Sequence, residues 1–455
     1  MYYNFLMLNE KIVVKCEKLL SGGNSLCRVN GFPLFVEGGC PGDLLEIVVT
    51  KVNKNYGFAK IEKIVEPSNS RTIPFCKYFG LCGGCSLQHV SYDEQLVQKR
   101  LIVEETLKKT TGENIPVNPV IASPRTENFR HKVQYPVAFR DGKIIAGYFK
   151  KGSHEVVDID ECPVQVKTAD NLMSEIKLLC EDLKISAYDE HTGGGLLRHV
   201  IFRVSKKTKE VLVIFVINET SVPEKIKKLA AAIFEKPDVV GVCVNFNNKK
   251  TNVIEGEITK TLCGQGFYTD ELNGVEYKVS SGSFFQVNPY SAQIIFETAR
   301  RMISDKLNNP SVLDAYSGVS AFGLQMKDIA REIVCVEECK SASFDAAENV
   351  KLSGAKNVKI INSDAFATFE DFAKNNITFD VVLLDPPRKG CGIAALEHVV
   401  KLAEKLIVYV SCNPATLAAD INFLHSKGFK TRYVQPVDMF CHTPHVECVA
   451  LIERI

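Results

Sequence analysis

From Val312 onward the chain repeats one pattern: an apolar strand, an acidic or glycine residue at its end, a helix-length stretch, then another strand. Val312-Leu313 runs into Asp314-Ala315-Tyr316-Ser317-Gly318, and Glu332-Ile333-Val334-Cys335-Val336 runs into Glu337. Val358-Lys359-Ile360-Ile361 leads to Asp364, and Phe379-Asp380-Val381-Val382-Leu383-Leu384 to Asp385. Apolar strands that alternate with helices require a parallel sheet covered on both faces. Such a doubly wound sheet binds its ligand at the carboxyl ends of the strands. The acidic and glycine residues are therefore expected along one ligand-facing edge of a C-terminal Rossmann-like domain, residues 271–455.

At 455 residues the chain is too long for one ordinary core. Three α/β or β domains are expected. Residues 6–66 hold short alternating strands at Lys11–Lys15, Pro33–Val36, Asp43–Val49 and Tyr56–Ile61, separated by Gly/Pro turns, which predicts a small OB-like β-barrel of a kind that commonly binds oligonucleotides. Ser68 to Thr72 reads as a linker. Residues 67–270 read as a mixed α/β domain, with strands such as Val211–Ile217 and an amphipathic stretch from Val222 to Phe234.

The 55 basic and 54 acidic residues nearly cancel, so global charge does not point to a nucleic-acid partner. Residues 121–154 carry seven basic residues, from Arg125 to Lys151, against Glu127 and Asp141, which predicts a local basic face. Met1 to Glu10 lacks a charged leader with a long apolar core, and no run approaches a membrane span. A cytoplasmic protein is expected, its 16 cysteines mostly reduced.

The turn after Val312-Leu313 lets the backbone bend against a ligand, yet it has Ser320 where a dinucleotide motif would have its second glycine. That favours a ligand without pyrophosphate. Glu337 is placed to accept hydrogen bonds from both ribose hydroxyls and Asp364 to receive an adenine amino group, although strand-end carboxylates also cap helices. Asp385-Pro386-Pro387-Arg388 stiffens the next strand end. Cys412, in Val410-Ser411-Cys412-Asn413-Pro414, emerges at the same edge, and Glu447 follows thirty-five residues later. A thiolate that adds to pyrimidine C6 and a carboxylate that removes the C5 proton together suggest pyrimidine C5 alkylation.

Four motifs carry a close resemblance to the RNA 5-methyluridine methyltransferase family, whose members use S-adenosylmethionine: Ser283-Phe284-Phe285-Gln286-Val287-Asn288-Pro289, the Asp314 turn, Leu384-Asp385-Pro386-Pro387-Arg388-Lys389-Gly390 and Val410-Ser411-Cys412-Asn413-Pro414-Ala415-Thr416. Asp438-Met439-Phe440-Cys441-His442-Thr443-Pro444-His445-Val446-Glu447 is a fifth, and the N-terminal barrel looks like a TRAM domain. The resemblance implies nucleophile Cys412, base Glu447 and donor-binding residues Gln286, Tyr316, Gly318, Glu337, Asp364 and Asp385. It implies that Phe284 stacks on the base and that Arg388 orients the base or a phosphate. Ser317 and Ser320 replace a cysteine and a glycine common in the family's donor loop, so altered donor affinity is expected.

Cys76, Cys82 and Cys85 stand in a C-x5-C-x2-C spacing, with Cys162 before Pro163. Four thiolates suit zinc or a [4Fe–4S] cluster, and spacing alone does not decide. Cluster-bearing members of the family share the arrangement, which implies [4Fe–4S]. Relatives of this type modify 23S rRNA, the substrate expected here, while others act on the T-loop of tRNA. A noncatalytic iron-sulfur RNA-binding protein is the remaining alternative, and a monomer is expected.

Overall fold

The computed structural model describes residues 7–455, so the expected barrel start at residue 6, and the part of the leaderless Met1–Glu10 reading that falls on residues 1–6, lie outside it. Strands β1 (Lys11–Leu19), β2 (Ser25–Val29), β3 (Phe32–Val36), β4 (Leu44–Val52) and β5 (Gly57–Glu66) close into a barrel in the order β1-β2-β3-β5-β4. Alternate residues fill it, among them Val14, Leu34, Leu45, Ile47 and Val49. Strand β2 was not legible from alternation, because Ser25, Leu26 and Cys27 are buried in succession. The expected linker Ser68–Thr72 is instead anchored. Arg71 is paired at 2.5 Å with the fully buried Asp43 and also donates to the carbonyl of Gly38 at 2.7 Å.

Helix α1 (Tyr92–Thr111) follows and ends at Gly112, whose left-handed φ of 73° lets its N–H close on the carbonyl of Lys108. The central sheet comprises β6 (Lys132–Arg140), β7 (Lys143–Phe149), β8 (Val156–Asp158), β9 (Leu197–Val204), β10 (Val211–Ile217), β11 (Val239–Phe246) and β12 (Ile258–Gly264). Its order is β12-β11-β10-β9-β6-β7-β8, and α2 (Lys167–Asp182) and α3 (Glu224–Phe234) pack on one face. The hairpin β13 (Phe267–Leu272) and β14 (Val275–Ser280) spans the expected boundary at 270, and its Leu272, Tyr277 and Val279 join the core of the next sheet.

That sheet alternates with helices as the strand pattern requires. The elements are α4 (Pro289–Ser304), β15 (Ser311–Ala315), α5 (Ala321–Gln325), β16 (Glu332–Glu337), α6 (Lys340–Leu352), β17 (Val358–Asn362), α7 (Ala365–Lys374), β18 (Phe379–Leu384), α8 (Ile393–Leu402), β19 (Ala403–Ser411), α9 (Pro414–His425), β20 (Phe429–Val437) and β21 (Glu447–Arg454). The order is β17-β16-β15-β18-β19-β21-β20, with β21 antiparallel to both its neighbours. Val381 and Leu383 point into one core, Val382 and Leu384 into the other, so both faces of β18 are buried. Val103 and Leu107 of α1 belong to the second core, beside Leu417 and Ile421 of α9.

Several cations of the basic stretch 121–154 are paired with carboxylates. Lys132 pairs with Glu255 at 3.4 Å, Arg140 and Lys150 both reach Glu155 at 3.8 Å, and Lys151 pairs with Glu37 at 2.6 Å. Glu37 and Glu255, distant in sequence, and Glu155, just past the stretch, offset charges that a linear count of 121–154 leaves open. Among the described residues no helix is long and apolar enough to cross a membrane.

Candidate active site

A cleft of about 840 Å³ opens at the carboxyl ends of β15, β16, β18 and β19. That volume suits a nucleoside-sized ligand with room for a second reactant. Phe284, Gln286, Tyr316, Gly318, Glu337, Asp364, Asp385, Arg388, Cys412 and Glu447 all line it. The ten residues singled out for cofactor, substrate and chemistry thus converge on one space.

The turn after β15 is built from left-handed backbone at Tyr316 (φ 64°), Gly318 (φ 56°) and Ser320 (φ 63°). Only glycine adopts this region at low cost, so Ser320 is strained where the family commonly has glycine. The turn brings the N–H of Gly318 to one carboxylate oxygen of Glu337 at 2.8 Å, while Cys339 donates to the other at 2.7 Å. Two backbone donors thus fix the orientation of Glu337 on the cleft wall. Asp364 lines the cleft and caps α7, accepting from Ala367 N–H at 2.9 Å. Asp314 stays beneath the cleft, where it accepts from Gly323 N–H at 2.8 Å and burial pushes its carboxyl up to about 8.

At the opposite end, the β19–β21 ladder pairs Ser411 with Cys448. Continuing that register sets Cys412 across from Glu447. Asn413 caps α9 by accepting from Ala415 N–H, and its amide donates to the carbonyl of Arg388 at 3.1 Å. Asp420 holds the adjoining loop. It accepts from Cys391 N–H at 2.9 Å and from the Tyr409 hydroxyl at 2.5 Å, and a Cβ at Gly390 would come within 2.8 Å of it.

The electrostatics follow from burial. Glu447, only 5% exposed, is held well above the usual carboxylate range by desolvation, reinforced by the charge of Asp385 and opposed by Arg388. Burial pushes Asp385 up to about 7. The Cys412 thiol is raised by burial and by Glu447, while Arg388 pulls it down by charge and a hydrogen bond. Ionised forms therefore gain from any cation that enters the cleft. Phe366, Cys391 and Phe440 also line the wall without having been assigned a role, and Phe440 was visible only as part of a motif.

The four predicted ligand cysteines lie elsewhere. Cys76, Cys82, Cys85 and Cys162 line a cavity of about 40 Å³ with Tyr78, Phe79, Tyr148 and Arg130. Cys162 N–H is held by Asp170 at 3.2 Å and Cys76 N–H by Gln88 at 3.2 Å. Among the described residues no group of three or more His, Cys, Asp or Glu is drawn together tightly enough to hold a metal ion.

A doubly wound sheet with a left-handed turn after its first strand, and an acid at the end of the second, is the architecture of a nucleoside-binding α/β domain. Residues 91–455 match the tRNA (uracil-5-)-methyltransferase family and residues 6–61 the TRAM domain. The chain belongs to that family and is an S-adenosylmethionine-dependent RNA (uracil-5-)-methyltransferase. It is 36% identical over 449 residues to an uncharacterized RNA methyltransferase of Bacillus cereus, covering 98% of this chain and 97% of the relative. An uncharacterized RNA methyltransferase of Halalkalibacterium halodurans is 37% identical over 451 residues, with 98% and 97% covered. The Pyrococcus abyssi tRNA (uracil-54, C5)-methyltransferase, solved with S-adenosyl-L-homocysteine, superposes with a TM-score of 0.74 at 28% identity, covering 97% of this chain and 100% of that one. Family membership sets aside the noncatalytic alternative.

Proposed function

We propose that this enzyme methylates uracil C5 of 23S rRNA through a covalent adduct on Cys412, with Glu447 removing the C5 proton. The observation that carries the reading is that Cys412, just past the end of β19, and Glu447, the first residue of β21, line one cleft with the donor-site carboxylates and lie close enough for Glu447 to raise the thiol. Gln286, Tyr316, Gly318, Glu337, Asp364 and Asp385 bind the methyl donor, Phe284 stacks on the extruded uracil, and Arg388 orients it.

The Cys412 thiol releases its proton to solvent and adds to C6 as the thiolate, which leaves the electron pair of the C5–C6 double bond at C5. C5 then attacks the methyl carbon of the sulfonium, and S-adenosylhomocysteine leaves. Glu447 takes the C5 proton, the C5–C6 double bond re-forms, and the thiolate departs by β-elimination. Before methyl transfer, the donor's positive sulfonium offsets part of the desolvation that raises Cys412 and Asp385.

Cys76, Cys82, Cys85 and Cys162 hold a [4Fe–4S] cluster in this reading. An all-cysteine donor set around one cavity fits it, and zinc fits less well, because one ion needs four sulfurs at about 2.3 Å. When bound, such a cluster cross-links the 76–85 segment to Cys162. The enzyme works as a monomer in the cytoplasm, with the TRAM barrel gripping the RNA.

The second reading, tRNA as substrate, is favoured by the end-to-end likeness to the Pyrococcus abyssi enzyme. Transfer from labelled S-adenosylmethionine to total RNA of a strain lacking the gene separates the two. Label as 5-methyluridine in 23S rRNA supports the first reading, label in tRNA the second, and label in neither, with cluster-loaded enzyme, overturns both.

A further inference from the structure

Between β20 and β21, residues 438–446 form the loop that carries Phe440 into the cleft wall and delivers Glu447. Its first residue, Asp438, is fully buried and paired at 2.6 Å with Lys99 of α1, itself 1% exposed. The same Lys99 ammonium donates to the carbonyl of Phe440 at 3.0 Å, so one cation holds the loop at two points. Further bonds to the loop backbone come from several directions. Ser291 donates to the carbonyl of Asp438 at 2.7 Å and Asn288 to that of Met439 at 3.1 Å, while the N–H of His442 donates to Gln95 at 3.1 Å.

A pair this deeply buried gives little net stability compared with apolar side chains of equal volume, because both charges lose their hydration. One carboxylate oxygen of Asp438 also lacks a partner within the described protein. Elsewhere α1 is held by Val103 and Leu107 in the apolar core and by the buried amides of Gln95 and Gln98. What the pair does supply is direction: the ammonium fixes where the backbone of Phe440 lies relative to α1.

We propose that Lys99 and Asp438 are positioning residues for methyl transfer, fixing the 438–446 loop so that Phe440 and Glu447 face Cys412. The inference rests on Glu447 being the base. Misplacing that carboxylate by about 1 Å costs on the order of 10²-fold in rate. Lys99 is buried and is not part of the cleft lining, so the loss is expected to fall on kcat.

The test is the double variant K99M/D438L, which removes both charges and keeps the volume, measured beside E447Q and K99R on whichever RNA accepts methyl. The expected result is a thermal unfolding midpoint near that of the parent, unchanged KM for donor and RNA, and kcat down about 10²-fold. The methylated protein–RNA adduct should accumulate in the double variant as in E447Q, and K99R should recover much of kcat. A folded double variant with parental kcat and no adduct, beside an E447Q that does trap it, overturns the positioning role and leaves the base intact. A double variant that does not fold makes the pair a stability element and also overturns it. Absence of adduct in E447Q removes Glu447 as base, and the inference falls with it.

Discussion

The methyl-transfer cleft and the cysteine cavity are built on opposite plans. The cleft gathers residues from the ends of strands whose order the doubly wound topology dictates, and its buried Glu447 lies within reach of the Asp385 charge. The cavity gathers four thiols from irregular segments, held by single bonds such as Gln88 to Cys76 and Asp170 to Cys162. A site framed by a sheet is positioned by the whole core. One framed by loops depends on what fills it.

The largest difference should appear on removing chemistry from the cleft. Cys412→Ala is expected to reduce methyl transfer to background with the unfolding midpoint unchanged, read by label incorporation and thermal melting. Glu447→Gln should slow turnover about 10²- to 10⁴-fold and leave protein–RNA adduct on a denaturing gel. In the cavity the order of effects reverses. On the proposed [4Fe–4S] reading, Cys85→Ser should lose iron and lower the thermal unfolding midpoint, with activity falling only as the fold loosens. Loss of activity without loss of stability there would erase the contrast.

Smaller effects sharpen it. Arg388 lowers the Cys412 thiol, so Arg388→Ala should raise it and move the rate–pH profile to higher pH in single-turnover assays. Asp385 is raised to about 7, so its folded state keeps a proton that the unfolded chain releases near pH 4. Stability from that proton is complete below about pH 4 and is lost as pH climbs toward 7. Asp385→Asn should therefore melt higher than the parent at pH 8 and equally at pH 4, while losing donor binding. Ser320→Gly should relieve left-handed strain and stabilise by about 0.5 kcal/mol, after the entropy of glycine is set against it.

The cleft was legible because strand ends and motifs coincide: Glu337, Asp385 and Cys412 each follow an apolar strand. Helix α1 was not, because its buried face includes Gln95, Gln98 and Lys99, whose hydrogen-bond partners include His442, Leu19 and Asp438. Polar residues buried by distant partners leave no amphipathic signature. A linear charge count of 121–154 misses partners for the same reason, since Glu37 and Glu255 pair with Lys151 and Lys132 from afar.

The most direct measurement uses substrate RNA containing 5-fluorouridine, whose C5 fluorine cannot be removed as a proton. Incubation with S-adenosylmethionine should leave the enzyme covalently joined to methylated RNA, and peptide mass mapping should place the bond on Cys412. An adduct on Cys391 or Cys339, or turnover that continues with no adduct at all, would contradict the account.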